Sequence, residues 1–373
     1  MSAKKILITG GAGFVGSHLA DALLEAGHDV RVFDSLSPQV HGGGGPDHLS
    51  PEVELEAGDM RDAAAVRRAI ENVDVIFHLA AAVGVGQSMY QIADYMSANT
   101  QGTAILLQAL LDSKNQIEKL VLASSMSIYG EGQYFCANCG DVAPGPRGCD
   151  QLLNKRWELL CPKCGVELTP VPTTEDKPLQ CTSIYALSKK DQEEICLLYG
   201  RTYDLPVVAL RYFNIYGTRQ ALSNPYTGVA AIFASRLLNG RPPLVFEDGR
   251  QMRDFVSVHD AVAANLLAMT SDKANGHALN IGSGTPISVQ EVADSLSRAL
   301  EIDMPCEITG KYRAGDIRHC FGDISKAREF LGYEPKTSFN QGITELADWL
   351  REQSAEDKAE NMVAELQTFG LTA

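Results

Sequence analysis

Two side chains four residues apart, Tyr185 and Lys189 in the segment YALSK, have the types and spacing needed for proton-transfer chemistry. On a helix this spacing places both side chains on one face. A lysine ammonium beside a phenol stabilises the phenolate, and so brings the phenol pKa, ordinarily about 10, toward the working pH. Such a tyrosine can take the proton of a substrate hydroxyl. Ser125, at the end of a predicted strand, could bridge the same substrate oxygen and Tyr185, so these three residues are the predicted catalytic set.

By itself the Tyr-x-x-x-Lys pattern is also typical of a surface pair. The predicted elements around it therefore decide between a catalytic pair and a surface pair. The sequence predicts a strand over Lys5–Thr9, a turn through glycines, and an amphipathic helix from about Val15 to a stop at Gly27. A second strand is predicted over Val30–Asp34. Strand, glycine turn, helix and strand in this order are typical of a dinucleotide-binding unit.

Three glycines in that turn, Gly10, Gly13 and Gly16, have the spacing that admits a pyrophosphate. The first permits the tight turn, the second lets the pyrophosphate approach the backbone, and the third allows helix and strand to pack closely. Asp34, which ends the second strand, is placed to accept hydrogen bonds from a ribose and would repel a 2′-phosphate. The segment therefore predicts bound NAD rather than NADP, against the alternative of an ordinary glycine-rich turn.

Strands and helices continue to alternate up to about residue 130, which predicts a parallel, doubly wound sheet with ligands at the carboxyl ends of its strands. Asp59 and Met60 fall where an adenine contact is expected, and Ala80–Ala82 fall where the next loop passes the cofactor. His78, just before that loop, is interpreted as a packed histidine at a strand end.

Four of the nine cysteines form two Cys-x-x-Cys pairs separated by 21 residues, Cys136 with Cys139 and Cys161 with Cys164. A glycine follows the second cysteine of each pair, as a tight knuckle turn requires. The spacing predicts a structural zinc ion held by four thiolates, which leave no open coordination position for catalysis. The alternative is four reduced thiols without a metal. A segment with six prolines and few periodic runs should not build its own core, so the metal would supply its folding energy.

Eight segments occur in one order along the chain: TGGAGFVGSHL, NTQGT, SSMSIYG, YALSK, LRYFNIYG, RDFVSVHD, LNIGSG and RAGDIRH. In these the chain resembles the extended short-chain dehydrogenase/reductase family, and within it the NAD-dependent nucleotide-sugar epimerases and dehydratases. The resemblance runs from about Lys4 to Leu350, interrupted by the cysteine-bearing stretch. It implies a Rossmann-type doubly wound α/β fold with a smaller C-terminal α/β substrate domain, and a homodimer.

The resemblance also assigns roles to the positions that match the family's motifs. Ser125, Tyr185 and Lys189 would be the catalytic triad, and Asn99 would support the site from its helix. Contacts to NAD are further implied for Phe14, Val15, Leu79, Ala80, Ala81, Asn99, Tyr185, Lys189 and Tyr212. Contacts to a nucleotide-diphosphate sugar are implied for Ser127, Asn214, Arg253, Arg313, Asp316 and Cys320. Arginine suits the phosphate and ribose contacts because its forked donors match phosphate oxygens.

The reaction that the resemblance implies is inversion at C4 of a UDP-hexose or a related sugar through a transient 4-keto sugar. The stretch RYFNIYGTRQALSNPYTGVAAIF is similar to the corresponding region of UDP-sugar 4-epimerases. Dehydratases and decarboxylases of the family carry carboxylates where this chain has Met126 and Ser127. Those two activities, and 4-keto-sugar reduction, are the alternatives within the family, and a non-catalytic NAD-binding scaffold is the rival outside it. Cys320 aligns with a position where a small residue admits N-acetylated sugars, although a simple packed cysteine is equally compatible.

Residues 131–181, called the cysteine insertion below, leave from the strand that carries Ser125 and return just before the helix that carries Tyr185. We therefore expect a lid or wall at the mouth of the sugar pocket, with a subunit contact as the alternative. The insertion has no basic patch, which argues against nucleic acid. Four cations could reach toward substrate, although a solvated position is expected for any one of them: Arg147, Lys155, Arg156 and Lys163.

The domain organisation follows from these assignments. An NAD-binding Rossmann domain covers 1–130 and 182–215, and the zinc-ribbon-like cysteine insertion covers 131–181. A nucleotide-sugar-binding domain covers 216–350. A charged C-terminal helix and tail without an assignable function covers 351–373. The stretch SPQVHGGGGPDHLSP after the second strand is expected to be a flexible loop near the adenosine end.

Composition bounds the class of protein. A chain of 373 residues with 45% hydrophobic residues can bury a substantial core, and its formal charge of −15 is spread along the chain, which disfavours nucleic acid or an anionic membrane as a partner. No segment approaches the roughly 18 consecutive apolar residues of a membrane span, and the N-terminus lacks the pattern of a signal peptide. Nine cysteines, four of them in metal-type pairs, are typical of a reducing cytoplasm.

Overall fold

A computed structural model describes residues 2–42, 45–113 and 116–372 of the chain. Met1 and Ala373, the outermost residues of the predicted domain ranges, lie outside the described residues, as do Gly43 and Gly44 of the predicted adenosine-side loop. The strands are β1 (Lys5–Thr9), β2 (Asp29–Asp34), β3 (Glu54–Ala57), β4 (Val75–His78), β5 (Lys119–Ser125), β6 (Gln133–Cys136), β7 (Gly140–Val142), β8 (Thr169–Val171), β9 (Val207–Tyr212), β10 (Asn214–Tyr216), β11 (Leu244–Val245), β12 (Met252–Ser257), β13 (Ala278–Ile281), β14 (Pro286–Ser288), β15 (Glu307–Ile308) and β16 (His319–Cys320).

The helices are α1 (Phe14–Glu25), α2 (Pro38–His41), α3 (Ala63–Ala69), α4 (Val85–Ser88), α5 (Ile92–Tyr95), α6 (Gly102–Ser113), α7 (Cys149–Leu153), α8 (Ile184–Tyr203), α9 (Val229–Leu238), α10 (Val258–Thr270), α11 (Val289–Ala299), α12 (Ser325–Leu331), α13 (Phe339–Leu350) and α14 (Ala359–Thr368). A π-helical turn covers Met96–Gln101, and a 3₁₀ turn covers Met126–Tyr129. The loop expected after β2 contains the helical turn α2, and its flexibility stays a prediction.

Seven of these strands form one parallel sheet in the order β13-β9-β5-β4-β1-β2-β3. The order reverses between β1 and β4, because β2 and β3 are added on one side of β1 and the later strands, from β4 onward, are added on the other side. In such sheets ligands bind at the carboxyl ends of the strands next to the reversal. The predicted doubly wound, Rossmann-type α/β architecture is confirmed, whereas the predicted domain ranges stay predictions.

The turn between β1 and α1 is built for close backbone contact. Gly10 has a φ of +72°, and a Cβ there would lie 2.8 Å from the Cα of Ala80 in the neighbouring loop. A Cβ on Gly16 would lie 2.5 Å from the Gly10 carbonyl oxygen. Larger residues at either position would therefore push the helix or the neighbouring loop away from the strand end. Strand β1 has the predicted bounds, and β2 begins one residue earlier than predicted.

The large sheet is covered by helices on both faces. Alternate residues of β1 face opposite layers: Ile6 and Ile8 pack in one apolar cluster with residues of α1 and α10, and Leu7 packs in another with residues of α3 and α6. Burial of both faces explains why the strands read as nearly continuous apolar runs.

The second half of the chain adds a smaller mixed sheet. Strand β12 pairs in parallel with β10 and β16 and antiparallel with β14. Helices α9, α11 and α13 cover this sheet through a third apolar cluster that includes Phe233, Leu296 and Leu346. A deep cleft separates the small sheet from the carboxyl ends of β1, β4 and β5. Within the described ranges, no helix is long and apolar enough to cross a membrane.

The cysteine insertion is more ordered than its sequence predicts. Strand β6 pairs antiparallel with both β7 and β8, which gives a three-stranded sheet. The expectation that the insertion lacks a core is wrong, because six of its residues form a buried cluster: Tyr134, Cys136, Val142, Leu159, Cys161 and Leu168. Two of the four knuckle cysteines thus belong to this small core.

Candidate active site

Strand β5 and helix α8 bring the three predicted catalytic residues to one cavity of about 890 Å³. Ser125 ends β5, and Tyr185 and Lys189 stand one turn apart at the start of α8. The Ser125 hydroxyl accepts a hydrogen bond from the Ser127 N–H at 3.1 Å and lies 2.9 Å from the Ser127 hydroxyl oxygen. This holds Ser125 at the strand end, on the wall of the same cavity as Tyr185.

Two serines hold the start of α8 in place. The Ser183 hydroxyl oxygen accepts the N–H of Ala186 at 3.1 Å and so caps the helix. The Ser88 hydroxyl oxygen accepts the N–H of Tyr185 at 3.0 Å. Because Ser88 ends α4, on the segment that follows β4, the tyrosine is tied to the cofactor side of the cleft.

Burial shifts the pKa values of both Tyr185 and Lys189. Lys189 is only 3% exposed, and burial lowers its pKa to about 8. Burial also raises the pKa of Tyr185 above its ordinary value, and the hydrogen bond with Ser125 only partly opposes this rise. The prediction of a lowered phenol pKa is therefore wrong, because loss of water around the phenol outweighs the stabilisation of its phenolate. With a pKa of about 8, Lys189 is still mostly protonated at neutral pH and offers its positive charge.

The dinucleotide end of the cavity contains the residues that the glycine pattern predicts. Asp34 accepts hydrogen bonds from the N–H groups of Ala12, at 3.1 Å, and Leu36, at 2.9 Å. Asp59 forms an ion pair with Arg61 at 2.6 Å. Fourteen predicted cofactor residues line the cavity: Gly10, Gly13, Phe14, Val15, Gly16, Asp34, Asp59, Met60, Leu79, Ala80, Ala81, Tyr185, Lys189 and Tyr212. The close backbone approach at Gly10 and Gly16 and the acid at the end of β2 fit NAD.

Asn99 supports the site from behind and is not among the described residues that line the cavity. Its side chain accepts the N–H of Ala82 at 2.7 Å and donates to the Ala82 carbonyl at 3.0 Å and the Ser188 hydroxyl at 2.9 Å. The residue lies in the π-helical turn Met96–Gln101, and such turns recur at functional sites. Asn99 therefore joins the loop after β4 to the helix that carries Tyr185.

His78 is packed, as its position at a strand end predicts. Its Nδ1 lies 2.7 Å from the Thr9 hydroxyl oxygen and its Nε2 lies 2.8 Å from that of Thr103. Burial lowers the pKa of His78 to about 3, so the ring stays neutral. It braces β1, β4 and α6 against one another.

The far end of the cavity carries the two predicted substrate arginines. The Arg313 guanidinium lies over the Phe246 ring at 4.8 Å and pairs with Asp316 at 2.9 Å. The Arg253 guanidinium donates to backbone carbonyls, including that of Ile317, and lies 3.8 Å from Asp316. Three carbonyl bonds use most of the N–H donors of Arg253, whereas Arg313 bonds Asp316 through Nε and one terminal nitrogen, so Arg313 keeps more donors for a ligand.

Three buried amide oxygens in the cavity wall have no hydrogen-bond partner among the described residues. They are the oxygens of Asn214, Gln220 and Gln251. A buried acceptor without a donor is costly, so each is suited to a ligand hydroxyl or N–H group. Sequence reasoning singled out Asn214 and missed the two glutamines. Gln251 had a usable signal, because it stands two residues before Arg253 next to a strand and hence on the same face.

The specificity prediction requires Cys320 to line the cavity, and it does not. The side chain is 1% exposed and packs in a cluster with Met126, Tyr129 and Phe213. Its sulfur lies 3.8 Å from the Thr173 hydroxyl oxygen, and the described residues that line the cavity do not include it. The prediction of a pocket residue is wrong, because β16 pairs with β12 and places the cysteine in an apolar layer behind the wall. The other predicted substrate residues, Ser127, Asn214, Arg253, Arg313 and Asp316, line the cavity.

The four knuckle cysteines come together in space. Ligand atoms of Cys136, Cys139, Cys161 and Cys164 all lie within 4.8 Å of one another, and the sulfurs of Cys136 and Cys164 are 3.4 Å apart. Four sulfurs at such separations fit one tetrahedral metal ion.

The cysteine insertion does not form the expected lid or wall, because none of its described residues lines the cavity. Instead it docks behind β12 and the loop 309–318, which carry the predicted substrate arginines. Arg147 pairs with Glu247 at 2.7 Å and donates to the Asp316 carbonyl at 3.1 Å. Arg318, which is fully buried, pairs with Glu158 of the insertion at 2.5 Å.

The four cations of the insertion differ in their surroundings. Arg147 is 2% exposed, which contradicts the expected solvated position. Lys155, Arg156 and Lys163 are exposed, as expected. Two of these cations approach the loop 309–318: Arg147 donates to the Asp316 carbonyl, and the Lys155 ammonium lies beside Gly310.

Comparisons with known proteins agree with this geometry. Residues 6–147 match the profile described as the NAD dependent epimerase/dehydratase family, and residues 167–346 match that of GDP-mannose 4,6 dehydratase. The chain is 33% identical to a dTDP-L-rhamnose 4-epimerase of Burkholderia thailandensis, over 94% of this chain and 96% of that relative. It is also 33% identical to a UDP-N-acetyl-alpha-D-glucosaminuronate decarboxylase of Bacillus cytotoxicus, over 94% and 98% of the two chains. A Thermus thermophilus UDP-glucose 4-epimerase solved with NAD has a TM-score of 0.75 and 30% identity, covering 93% of this chain and 99% of that one.

Proposed function

Because the chain belongs to the NAD dependent epimerase/dehydratase family, we propose that it is an NAD-dependent epimerase that inverts C4 of a UDP-hexose or a related nucleotide sugar. Bound NAD supplies the hydride acceptor and donor for this chemistry. In its phenolate form, which the raised pKa makes the minor form at neutral pH, Tyr185 takes the proton of the sugar 4-hydroxyl and later returns it, with Ser125 holding the same oxygen. Lys189 supplies the positive charge that favours the phenolate. Inversion follows when the 4-keto sugar presents its other face before the hydride returns.

The observation that carries this proposal is the absence of a carboxylate beside the catalytic residues, among the described side chains that line the cavity. Four carboxylates line it: Asp34, Asp59, Asp94 and Asp316. Asp34 lies at the ribose position, Asp59 pairs with Arg61, Asp94 is exposed, and Asp316 pairs with Arg313. Dehydration or decarboxylation needs a further acid or base next to the sugar, so inversion is favoured over both.

The test is incubation of the purified protein with UDP-, TDP- and GDP-sugars, read by NMR. We expect a C4-inverted product from a UDP-hexose, with no water or carbon dioxide lost. A 4-keto-6-deoxy product or a pentose would contradict the proposal. Turnover without added NAD separates an epimerase from a one-way reductase, which consumes a reduced cofactor. Absence of any reaction, together with retained NAD, would support a scaffold.

We further propose that the four knuckle cysteines hold a structural zinc ion. The four clustered sulfurs support this, and a thiolate site of this kind suits a reducing compartment, which favours the cytoplasm. The ion would join two of the insertion's turns and so maintain the surface that carries Arg147 and Glu158.

Changing the four knuckle cysteines to serine should remove one bound zinc per chain, measured by elemental analysis. We expect the substrate KM to rise by about two- to tenfold, because the loop at Asp316 loses its support from Arg147. NAD should remain bound, since the insertion does not touch its end of the cavity. The matched control is Cys149→Ser, an exposed thiol outside the cluster. An unchanged zinc content in the quadruple variant would contradict the site.

A homodimer is also proposed, with α6 and α8 as its contact. These helices expose apolar side chains that a monomer leaves in water: Leu111, Leu187, Leu198 and Tyr203. Light scattering of the purified protein should give twice the mass of one chain, and Leu198→Glu should shift the mass toward that of a single chain.

A further inference from the structure

The last part of the chain, residues 359–372, forms one wall of the cavity, although its sequence suggested only a charged tail. This range is called the C-terminal segment below. Its inward-facing side chains are apolar: Ala359, Met362, Val363, Leu366 and Leu371. Met362 and Leu366 are buried, whereas Glu360, Asn361, Glu365 and Gln367 of α14 are exposed.

The C-terminal segment touches the dinucleotide-binding side of the cleft. The Phe369 ring stacks on Tyr90 with centroids 4.6 Å apart and planes 6° from parallel. Leu366 lies so close to Gly86 that a Cβ added to the glycine would be 3.2 Å from the leucine Cδ2. Gly86 belongs to α4, the helix whose last residue accepts the N–H of Tyr185. The segment therefore reaches the sugar end of the cavity.

The same segment touches the substrate-binding side. Leu371 accepts the N–H of Ala314 at 2.8 Å, and the Thr372 hydroxyl donates to the Tyr312 carbonyl at 2.7 Å. These bonds flank Arg313. The Glu365 carboxylate accepts hydroxyl hydrogen bonds from Tyr90, on one side of the cleft, and from Tyr226, on the other. A single short segment thus joins both walls across the opening.

We propose that the C-terminal segment closes the cavity over the sugar and retains the 4-keto sugar between the two hydride transfers. The inference rests on the proposed epimerase function. In that reaction NAD would accept the C4 hydride and Tyr185 the hydroxyl proton, and the free ketone would have to turn over before the hydride returned. An apolar wall makes no directed hydrogen bonds to the sugar, so it allows this rotation. It also blocks the exit, and a ketone that escaped would leave the cofactor reduced and the enzyme unable to start another cycle.

A chain ending at Lys358 tests this directly. We expect the substrate KM to rise on the order of tenfold, because the apolar wall is lost. Activity should also decline during turnover while NADH fluorescence rises toward one equivalent per site. The released ketone, reduced by borohydride after the protein is filtered off, should yield both C4 epimers. Steady turnover of the shortened chain, without trapped NADH, would overturn the proposal.

Point variants keep the test valid if the shortened chain does not fold. Phe369→Ala removes the stack on Tyr90 and should raise the rate of inactivation per turnover by about fivefold, the scale of one aromatic pair. Leu366→Gln places an amide in the wall and should act in the same direction. The control is Gln367→Ala, an exposed neighbour on α14 that should behave like the parent. If the parent itself shows no C4 inversion, the proposed function is wrong. If the parent inverts C4 and the wall variants inactivate no faster than the parent, the closing-wall proposal is wrong.

Discussion

Replacing Tyr185 by phenylalanine is expected to lower kcat by about a hundred- to ten-thousand-fold, the range that a positioned acid–base group contributes. The phenol lines the same cavity as Ser125, and among the described residues no carboxylate lines the cavity beside it, so it is the group placed to take the 4-hydroxyl proton. The ring itself remains in the variant, so the packing of α8 should be unaffected. Bound NAD, measured by absorbance after denaturation, should equal that of the parent.

Tyr203→Phe is the matched control, because this tyrosine ends the same helix and is 51% exposed. It should retain full activity. A Tyr185→Phe variant whose kcat stays within about threefold of the parent would assign the proton transfer to another group. Loss of NAD from the variant would instead indicate that the phenol mainly holds the cofactor.

Replacing Lys189 by methionine is expected to abolish most activity and yet stabilise the fold at pH 7. The lysine is buried, and burial lowers its pKa from 10.5 to about 8. Keeping its charge at pH 7 therefore costs about 3 kcal/mol of folding free energy, which an apolar side chain of similar length avoids. The urea midpoint of the NAD-free variant should exceed that of the parent. Its kcat should fall by at least about a hundredfold, because the phenolate loses its positive neighbour.

The pH dependence of this stability difference has a definite sign. Because the folded-state pKa is lowered, the unfolded chain binds more protons between about pH 8 and pH 10.5, so the parent gains stability as pH rises through that window. The advantage of Lys189→Met should therefore be full below pH 8 and shrink toward pH 10.5. The control Lys190→Met alters a half-buried lysine that pairs with Glu194 at 3.4 Å, and it should show no such gain. An equal difference at pH 7 and pH 10 would contradict the burial argument.

Local features of the sequence were sufficient for the dinucleotide-binding unit. The bounds of β1, the turn through Gly10 and Gly16, and the acid that ends β2 depend on neighbours within about thirty residues. The pairing of Tyr185 with Lys189 needs only the helical repeat. These predictions agree with the structure because chain connectivity alone brings such groups together.

Predictions that depended on distant contacts were less successful. The position of the cysteine insertion was inferred from where it leaves and rejoins the chain, which places its ends at the cavity but not its body. Buried ion pairs of Arg147 and Arg318 hold the body of the insertion behind the loop 309–318. The family resemblance places Cys320 in the pocket, whereas strand pairing with β12 places it in an apolar layer.

The sequence by itself was sufficient to predict the fold class and the NAD-binding turn and to name the candidate catalytic residues and the proposed zinc ligands, because each depends on the short-range spacing of particular side chains. Only the tertiary structure decided what those parts adjoin. In the folded chain, burial raises the pKa of Tyr185, amide oxygens such as that of Gln251 lack partners in the cavity wall, and α14 lies across the cleft. Burial and closure of a cavity arise from contacts between segments far apart in the chain, and no local pattern encodes them.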